Sequence, residues 1–371
     1  MAAVKPALLI VARCGRLLAQ AAWRAGYRPL VVDAFGDLDT RALALEVQVV
    51  EDFQEASLRA AGQALIGRYA PAGWVYGPGV ERFPELIATL SRHCPLYGNH
   101  AEVVRACGDP ARFFRRLQDL GIPFPPVRWT PPRQGDWLLK FPGSGGEGVY
   151  RWPGPGRWRG GYFQCRVPGP VHCLAFVAGD GEILWYGFNT LWHRPYNDGR
   201  PYGFRGLVNR ARLRRAAALE ALAYARRLAR ALELRGWHGL DFVLDGDGCP
   251  LVLELNARPG AALAVWGDAW RAGGLAPQLA VCRGLPPPPW RLPPAAGWEI
   301  LFAPRRLRIG AFAWPGWCAD RPPPGTVIPA GAPLCSIGAR GRSPRAVVAR
   351  LAHRRRWLER QLNPTTEVER R

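Results

Sequence analysis

One stretch constrains this chain more than any other: Trp137-Leu138-Leu139-Lys140-Phe141-Pro142-Gly143-Ser144-Gly145-Gly146-Glu147-Gly148-Val149-Tyr150. It reads as a short apolar strand ending in a lysine, a glycine-rich loop, and a second strand. Gly143, Gly145, Gly146 and Gly148 let the backbone reach positive φ and approach a ligand closely. Successive N–H groups in such a loop converge on negative charge, and Ser144 sits among them. Lys140, at the strand's end, offers a point charge to the same anion. Of fifty basic residues only Lys5 and Lys140 are lysine. A chain that writes nearly every cation as arginine keeps a lysine beside its glycine loop. These residues support phosphate binding. A plain hairpin with a flexible turn is the alternative, since short glycine motifs arise by chance.

A second hairpin lies about a hundred residues on. Strands are expected over 239–245 and 250–256, joined by Asp245-Gly246-Asp247-Gly248. Alternation puts Glu254 and Asn256 on one face, and across an antiparallel pair Asp241 joins them. Two carboxylates and an amide oxygen make an all-oxygen set suited to Mg²⁺ bridging phosphates. Arg258 follows, able to pair with a transferring phosphoryl group or a substrate carboxylate. The hairpin alone reads equally well as a surface turn with ordinary charges. The order lysine, glycine loop, Asp, then Glu-x-Asn-x-Arg is harder to obtain by chance.

Around these hairpins the expected fold class is α/β. A chain of 371 residues exceeds one ordinary core and implies two or three domains. Residues 7–12, 27–35, 46–51 and 73–77 read as strands alternating with helices at 15–25 and 55–69. That pattern argues for a Rossmann-like parallel sheet. Its first turn, Arg13-Cys14-Gly15-Arg16, lacks the dinucleotide glycine fingerprint, so no dinucleotide is expected there despite Asp33. Gly77-Pro78-Gly79-Val80-Glu81 opens a helix and either lines a substrate cleft or is a tight turn. Leu96 to Asn99 reads as the last strand of this unit. A helix follows at 109–120 and a strand at 161–167, with a strand pair at 171–178 and 182–188. Residues 189–207 read as a long aromatic and arginine-rich loop able to recognise an acidic substrate through His193, Arg194, Tyr196, Asn197 and Arg205. A long helix is expected at 211–235, two more within 261–283, and a basic helix at 343–362 after a run of short strands and turns.

The whole chain resembles the ATP-grasp superfamily of carboxylate–amine ligases and biotin carboxylases. Lys140 and the glycine loop match the family's phosphate-covering hairpin. Asp241, Glu254 and Asn256 match its magnesium ligands, and Arg258 the arginine after them. The resemblance implies a Rossmann-like domain over 1–98, an α+β ATP-grasp domain over 99–284 and a small β-rich C-terminal domain over 285–371. Gly77 to Glu81, Tyr97-Gly98-Asn99 and Trp317 to Ile337 further resemble bacterial ATP-grasp proteins associated with the tetrahydromethanopterin-linked C1 transfer pathway. Three departures stand out. Asp109-Pro110 replaces the family's Asp-Lys, with Arg112 as a possible substitute. The adenine hinge reads Phe163-Gln164-Cys165-Arg166-Val167, with Gln164 in place of the usual glutamate and the backbone of Arg166 and Val167 for the adenine edge. The first metal ligand is Asp rather than Glu.

What the resemblance implies is an ATP-dependent ligase that joins an acid to an amine through an acyl phosphate. ATP and Mg²⁺, in two ions or with Mn²⁺ in its place, would be its cofactors. Glutamate and a pterin- or furan-type C1 carrier are the implied substrates. Biotin-carboxylase-like carboxylation and a non-catalytic ATP-binding scaffold are the alternatives. The net charge of +21 admits nucleic acid, but the arginines are scattered and no basic tail exists, so none is expected. Nine cysteines without a CxxC pair, no signal peptide and no spanning apolar run imply free thiols in a reducing cytoplasm, with no membrane partner. A homo-oligomer is compatible with all of this.

Overall fold

The computed structural model describes residues 5–143, 148–154, 160–196 and 200–362. The chain opens with β1 (Ala7–Val11), α1 (Arg16–Arg24), β2 (Arg28–Asp33), α2 (Leu38–Leu43), β3 (Glu46–Val49), α3 (Glu55–Tyr69) and β4 (Trp74–Tyr76). The four strands form a parallel sheet in the order β3-β2-β1-β4. Residues Leu8 to Ala12 are wholly buried, as strands covered on both faces must be. Asp33 ends β2. Its carboxylate accepts N–H bonds from Gly15 (3.0 Å), Gly36 (2.9 Å) and Phe35 (3.2 Å), so it serves the turns and not a ribose. Gly15 is required there, because a Cβ would fall 2.4 Å from Val31.

Three helices follow: α4 (Pro84–Ser91), α5 (Ala101–Gly108) and α6 (Pro110–Asp119), the last capped by Asp109 through the N–H groups of Ala111 and Arg112. Leu96 to Asn99 is not a strand. It makes a single parallel bridge, Trp74 to Leu96, before the chain turns away into α5.

The middle of the chain builds two antiparallel sheets. β5 (Val127–Arg128), β6 (Trp137–Lys140), β7 (Val149–Arg151) and β8 (Tyr162–Cys165) pair in the order β5-β8-β6-β7. Next come β9 (Val171–Gly179), β10 (Glu182–Arg194), β11 (Gly203–Asn209), α7 (Arg215–Ala231), β12 (Gly236–Leu244), β13 (Pro250–Asn256), α8 (Ala262–Trp266) and α9 (Ala276–Val281). The C-terminal part supplies β14 (Ala295–Phe302), β15 (Leu307–Arg308), β16 (Cys318–Ala319), β17 (Val327–Ile328), β18 (Pro333–Gly341) and α10 (Pro344–Leu362). The large sheet runs β13-β12-β9-β10-β11-β14-β18-β16, so strands from the last third of the chain extend the sheet that carries the second hairpin. β15 and β17 pair separately.

The expected long loop at 189–207 is corrected here. Residues 189–194 finish β10 and residues 203–209 form β11, paired from Asn189↔Asn209 to Arg194↔Gly203. Only the connection between them is a loop, and Asn197 within it lies outside the described residues. β11 sits between β10 and β14, so its backbone groups find ladder partners on both sides. That pairing outweighs its glycine and arginine content.

Both faces of the large sheet are covered. On one, α7 packs Ala221, Ala225, Leu228 and Ala229 against Phe176, Leu240 and Phe242. On the other, Trp185, Trp237, Trp266 and Trp270 meet edge to face beside α1. Each such buried ring contributes on the order of 2–3 kcal/mol by area, with about 1 kcal/mol more from edge contacts. No helix of the described residues is long and apolar enough to cross a membrane.

Gly187 of β10 lies under this cluster, and a Cβ there would meet the Trp266 ring at 2.5 Å. Gly187→Ala is therefore expected to destabilise the protein by about 1–3 kcal/mol. Gly67, near the end of α3, has nothing within 4 Å of an added Cβ. Gly67→Ala should stabilise by roughly 0.5–1 kcal/mol. Urea unfolding of both variants checks the pair.

Candidate active site

Lys140 ends β6, next to β8. Its Nζ donates to Gln164 Oε1 at 3.1 Å and lies 5.8 Å from the Tyr162 ring centroid. Burial would lower its pKa, but the Tyr162 hydroxyl, Glu254 and Asp241 together raise it, so the ammonium stays charged. Gly143 has φ of 72° and packs on Arg82, 3.2 Å from where a Cβ would sit. Phe141 N–H bonds the Gly148 carbonyl at 2.9 Å and closes the hairpin's base. Ser144, Gly145 and Gly146 lie outside the described residues.

Across the antiparallel pair, Asp241 of β12 stands directly opposite Glu254 of β13, and Gly239 opposite Asn256, with a bulge after Asp241. Asn256 Nδ2 donates to Glu254 Oε1 at 3.1 Å. Burial, then the adjacent Glu254 carboxylate, pushes Asp241 well above the usual carboxylate range. Two acids thus stand together with an amide oxygen, and the Arg258 guanidinium offsets only part of their charge. This donor set is all hard oxygen and fits Mg²⁺.

Arg258 continues from β13. Its Nη2 donates to Asn256 Oδ1 at 3.0 Å, and its Nε to Glu81 Oε1 at 2.8 Å. Glu81 comes from the Gly77–Glu81 turn after β4, so that turn is tied to the second hairpin. The other oxygen of Glu81 is buried and has no hydrogen-bond partner among the described residues. The sequence singled out this turn but not its partner. Asn99 backs the arrangement: Nδ2 donates to the Ala257 carbonyl (3.0 Å) and contacts His238 Nε2 (2.9 Å), while Oδ1 accepts from Arg235 N–H (2.8 Å). His238, pulled down to about 3 by burial, is a neutral packing residue and not a base.

Lys140, Gln164, Asp241, Glu254, Asn256 and Arg258 all line one cavity of about 830 Å³. The structure therefore brings the cation of the first hairpin and the acids of the second to the same space. The hinge differs in detail from expectation. Gln164 is 2 % exposed and uses its oxygen on Lys140, and among the described residues its buried Nε2 has no partner. The Arg166 N–H is taken by the Asp136 carbonyl at 2.8 Å, so it is not free for an adenine edge. Arg166 and Val167 both line the cavity. Arg112 is exposed, 3.4 Å from Asp109, and does not line the cavity. His193 does line it, with its pKa lowered by burial.

No protein-family model matches the sequence. No curated protein matches it either. Solved structures do share its fold. N5-carboxyaminoimidazole ribonucleotide synthetase in an ADP complex aligns with a TM-score of 0.73 at 15% identity, over 96% of this chain and 98% of that one. The biotin carboxylase domain of Hydrogenobacter thermophilus 2-oxoglutarate carboxylase, with MgADP and bicarbonate, aligns at 0.74 and 13% identity, over 99% and 91%. L-amino acid ligase from Bacillus licheniformis aligns at 0.68 and 15% identity, over 94% and 96%. These neighbours are ATP-grasp ligases and carboxylases, and the chain has their α/β architecture.

Asp241→Asn removes one of two facing carboxylates. Without ligand the variant is expected to melt no lower than the parent. MgATP at a hundred times its Kd should stabilise the parent by about 2.7 kcal/mol and the variant by little or nothing. Thermal melts with and without MgATP read both effects, and equal stabilisation of the two proteins would remove Asp241 from the metal set.

Proposed function

We propose that this protein is an ATP-dependent carboxylate–amine ligase of the ATP-grasp type. The observation that carries the reading is the shared cavity, with Lys140 on one wall and Asp241, Glu254 and Asn256 on another. The fold it shares with an ADP-bound synthetase, a MgADP-bound biotin carboxylase domain and an L-amino acid ligase supports it.

In this reading Lys140 and the glycine loop hold the phosphates of ATP. Asp241, Glu254 and Asn256 would hold Mg²⁺, as two ions or with Mn²⁺ replacing it, which supplies charge neutralisation on the β- and γ-oxygens when bound. Gln164, the Arg166 carbonyl and Val167 border the adenine. A carboxylate oxygen of the acid attacks the γ-phosphorus, ADP leaves, and an acyl phosphate forms. The amine nitrogen then attacks the acyl carbon, the C–O bond to phosphate breaks, and the amide forms with loss of a proton. Arg258, held by Glu81 and Asn256, faces the transferring group. Catalysis rests on position and charge, with no covalent nucleophile from the protein.

The narrower reading is a cytoplasmic ligase that joins glutamate to a pterin- or furan-type C1 carrier or its precursor. It rests on the resemblance carried by Gly77 to Glu81, Tyr97 to Asn99 and Trp317 to Ile337. Units of 1–98, 99–284 and 285–371 are part of it, as is a homo-oligomer. Bicarbonate as the acid is the second reading, favoured by the carboxylases among the structural neighbours.

The purified protein with MgATP is expected to release phosphate only when an acid and an amine are both supplied, and mass spectrometry should find the amide. Lys140→Ala and Glu254→Ala should each lower that turnover by about 10²-fold or more with the circular dichroism spectrum unchanged. Equal turnover in either variant means the site lies elsewhere. Carboxylated product from bicarbonate would replace ligation by the second reading.

A further inference from the structure

The cavity has a second end, away from the two hairpins in the chain and unused by the phosphate chemistry. Cys14, Asp37 and Asp320 line it. Asp37 follows β2 on the carboxyl edge of the parallel sheet, where α/β folds place their ligands. It is 5% exposed. It precedes α2, yet its side chain makes no cap hydrogen bond to that helix. Among the described residues its one hydrogen-bond contact is the Cys14 thiol, with Sγ 3.9 Å from Oδ2, and no ion pair reaches it.

The nearest cation is already committed. Arg16 donates through Nε and Nη2 to the two oxygens of Asp320 (2.8 and 3.3 Å) and through Nη1 to Gln20 (3.0 Å). Asp39 is occupied with the N–H groups of Asp320 and Arg321, both at 2.9 Å. Burial, then Asp320, Asp33 and Asp39, push Asp37 up to about 8, with Arg16 offsetting only part. A buried carboxyl whose one side-chain donor is a thiol 3.9 Å away is costly, and this one stands on a cavity wall.

We propose that Asp37 receives a cationic nitrogen of the amine substrate, a second nitrogen other than the unprotonated one that attacks the acyl carbon, on a part of the cavity wall outside the two phosphate-holding hairpins. The proposal deepens the ligase reading and rests on it. Phe204, Leu207, Trp298 and Ile300 line the same cavity and give that amine's carbon skeleton an apolar surface. The substrate class is therefore an amine that carries a positive charge on an apolar or aromatic body. A divalent metal is the less suited occupant. Cys14, Asp37 and Asp320 have ligand atoms within 4.8 Å of one another, but Asp320 is tied to Arg16 and Ser336. The Arg16 fork takes both Asp320 oxygens, at 2.8 and 3.3 Å, and already neutralises that carboxylate.

Calorimetric titration of the full chain with benzylamine, and with benzyl alcohol as the uncharged isostere, tests this at pH 8.5. Benzylamine should bind the parent more tightly than benzyl alcohol does. Asp37→Asn should cut benzylamine affinity by about tenfold or more, leave benzyl alcohol and MgATP binding unchanged, and melt no lower than the parent. Asp37→Ser should repeat the result if the asparagine variant folds poorly. No benzylamine binding to the parent, or equal affinity in the variants, overturns the proposal. So does a Zn²⁺ affinity lost in the variants while benzylamine binding is kept, or a lowered melting temperature in both variants. The two readings fail separately. Absence of any acid- and amine-dependent ATP turnover sinks the ligase but not this site, whereas normal turnover with unchanged amine KM in the variants sinks this site alone.

Discussion

A buried amide, Asn99, ties the parallel-sheet unit to the large antiparallel sheet. Asn99 is 3% exposed. It meets Ala257, His238 and Arg235 with both ends of its side chain. Tyr76, at the end of β4, adds its hydroxyl to the Asn99 and Ala257 carbonyls at 2.8 and 3.2 Å. A buried amide is tolerated only when its donors and acceptor are matched, and an error in their positions costs about 1–3 kcal/mol each. The network therefore selects one placement of the first ninety-odd residues against β12 and β13. Ala257 sits between Asn256 and Arg258. Fixing its carbonyl fixes the two side chains that flank it, and the Glu81 to Arg258 ion pair follows from the same placement.

Much of this arrangement was legible in the sequence because it is local. The second hairpin was readable from alternation and its Asp-Gly turn, and its β13 strand has the expected bounds of Pro250–Asn256. Lys140 was readable as the end of a strand because a glycine run begins three residues later. The parallel sheet was readable from apolar runs separated by helices. What escaped depends on distant partners. Residues 189–207 look like a loop until β9 and β14 are set on either side of them. Helices α2 and α5 are too short to show periodicity against the noise of single residues. Nothing local says that Glu81 will meet Arg258, 177 positions away, or that β14 and β18 will extend the sheet of β12 and β13.

The excess of arginine has a structural use that composition alone hides. Glu299 is 2% exposed and receives Arg205 at 2.7 Å and Arg355 at 2.8 Å, from β11 and α10 respectively. Arg16 with Asp320 ties the start of α1 to the segment after β16 in the same way. The planar fork suits such junctions, because it holds direction as well as charge. Each pair contributes little net stability once desolvation is counted, but a partner lost from one leaves a buried charge uncompensated. The arginines thus work as joints between elements from opposite ends of the chain.

Against that background the choice of lysine at position 140 has a physical reason. An ammonium carries three donors on one atom. Gln164 takes one at 3.1 Å. The ammonium also faces the cavity, and against the effect of burial its pKa is raised by Tyr162, Glu254 and Asp241. A guanidinium would spread its charge over a plane and would need room beside Tyr162, which is 6% exposed, and Gln164, which is 2% exposed. Neither side chain can retreat, since both belong to β8 and pair with β6. A compact point charge is what that corner admits, and a compact point charge also suits the terminal phosphate proposed for this site. The packing around the residue and the chemistry assigned to it select the same side chain.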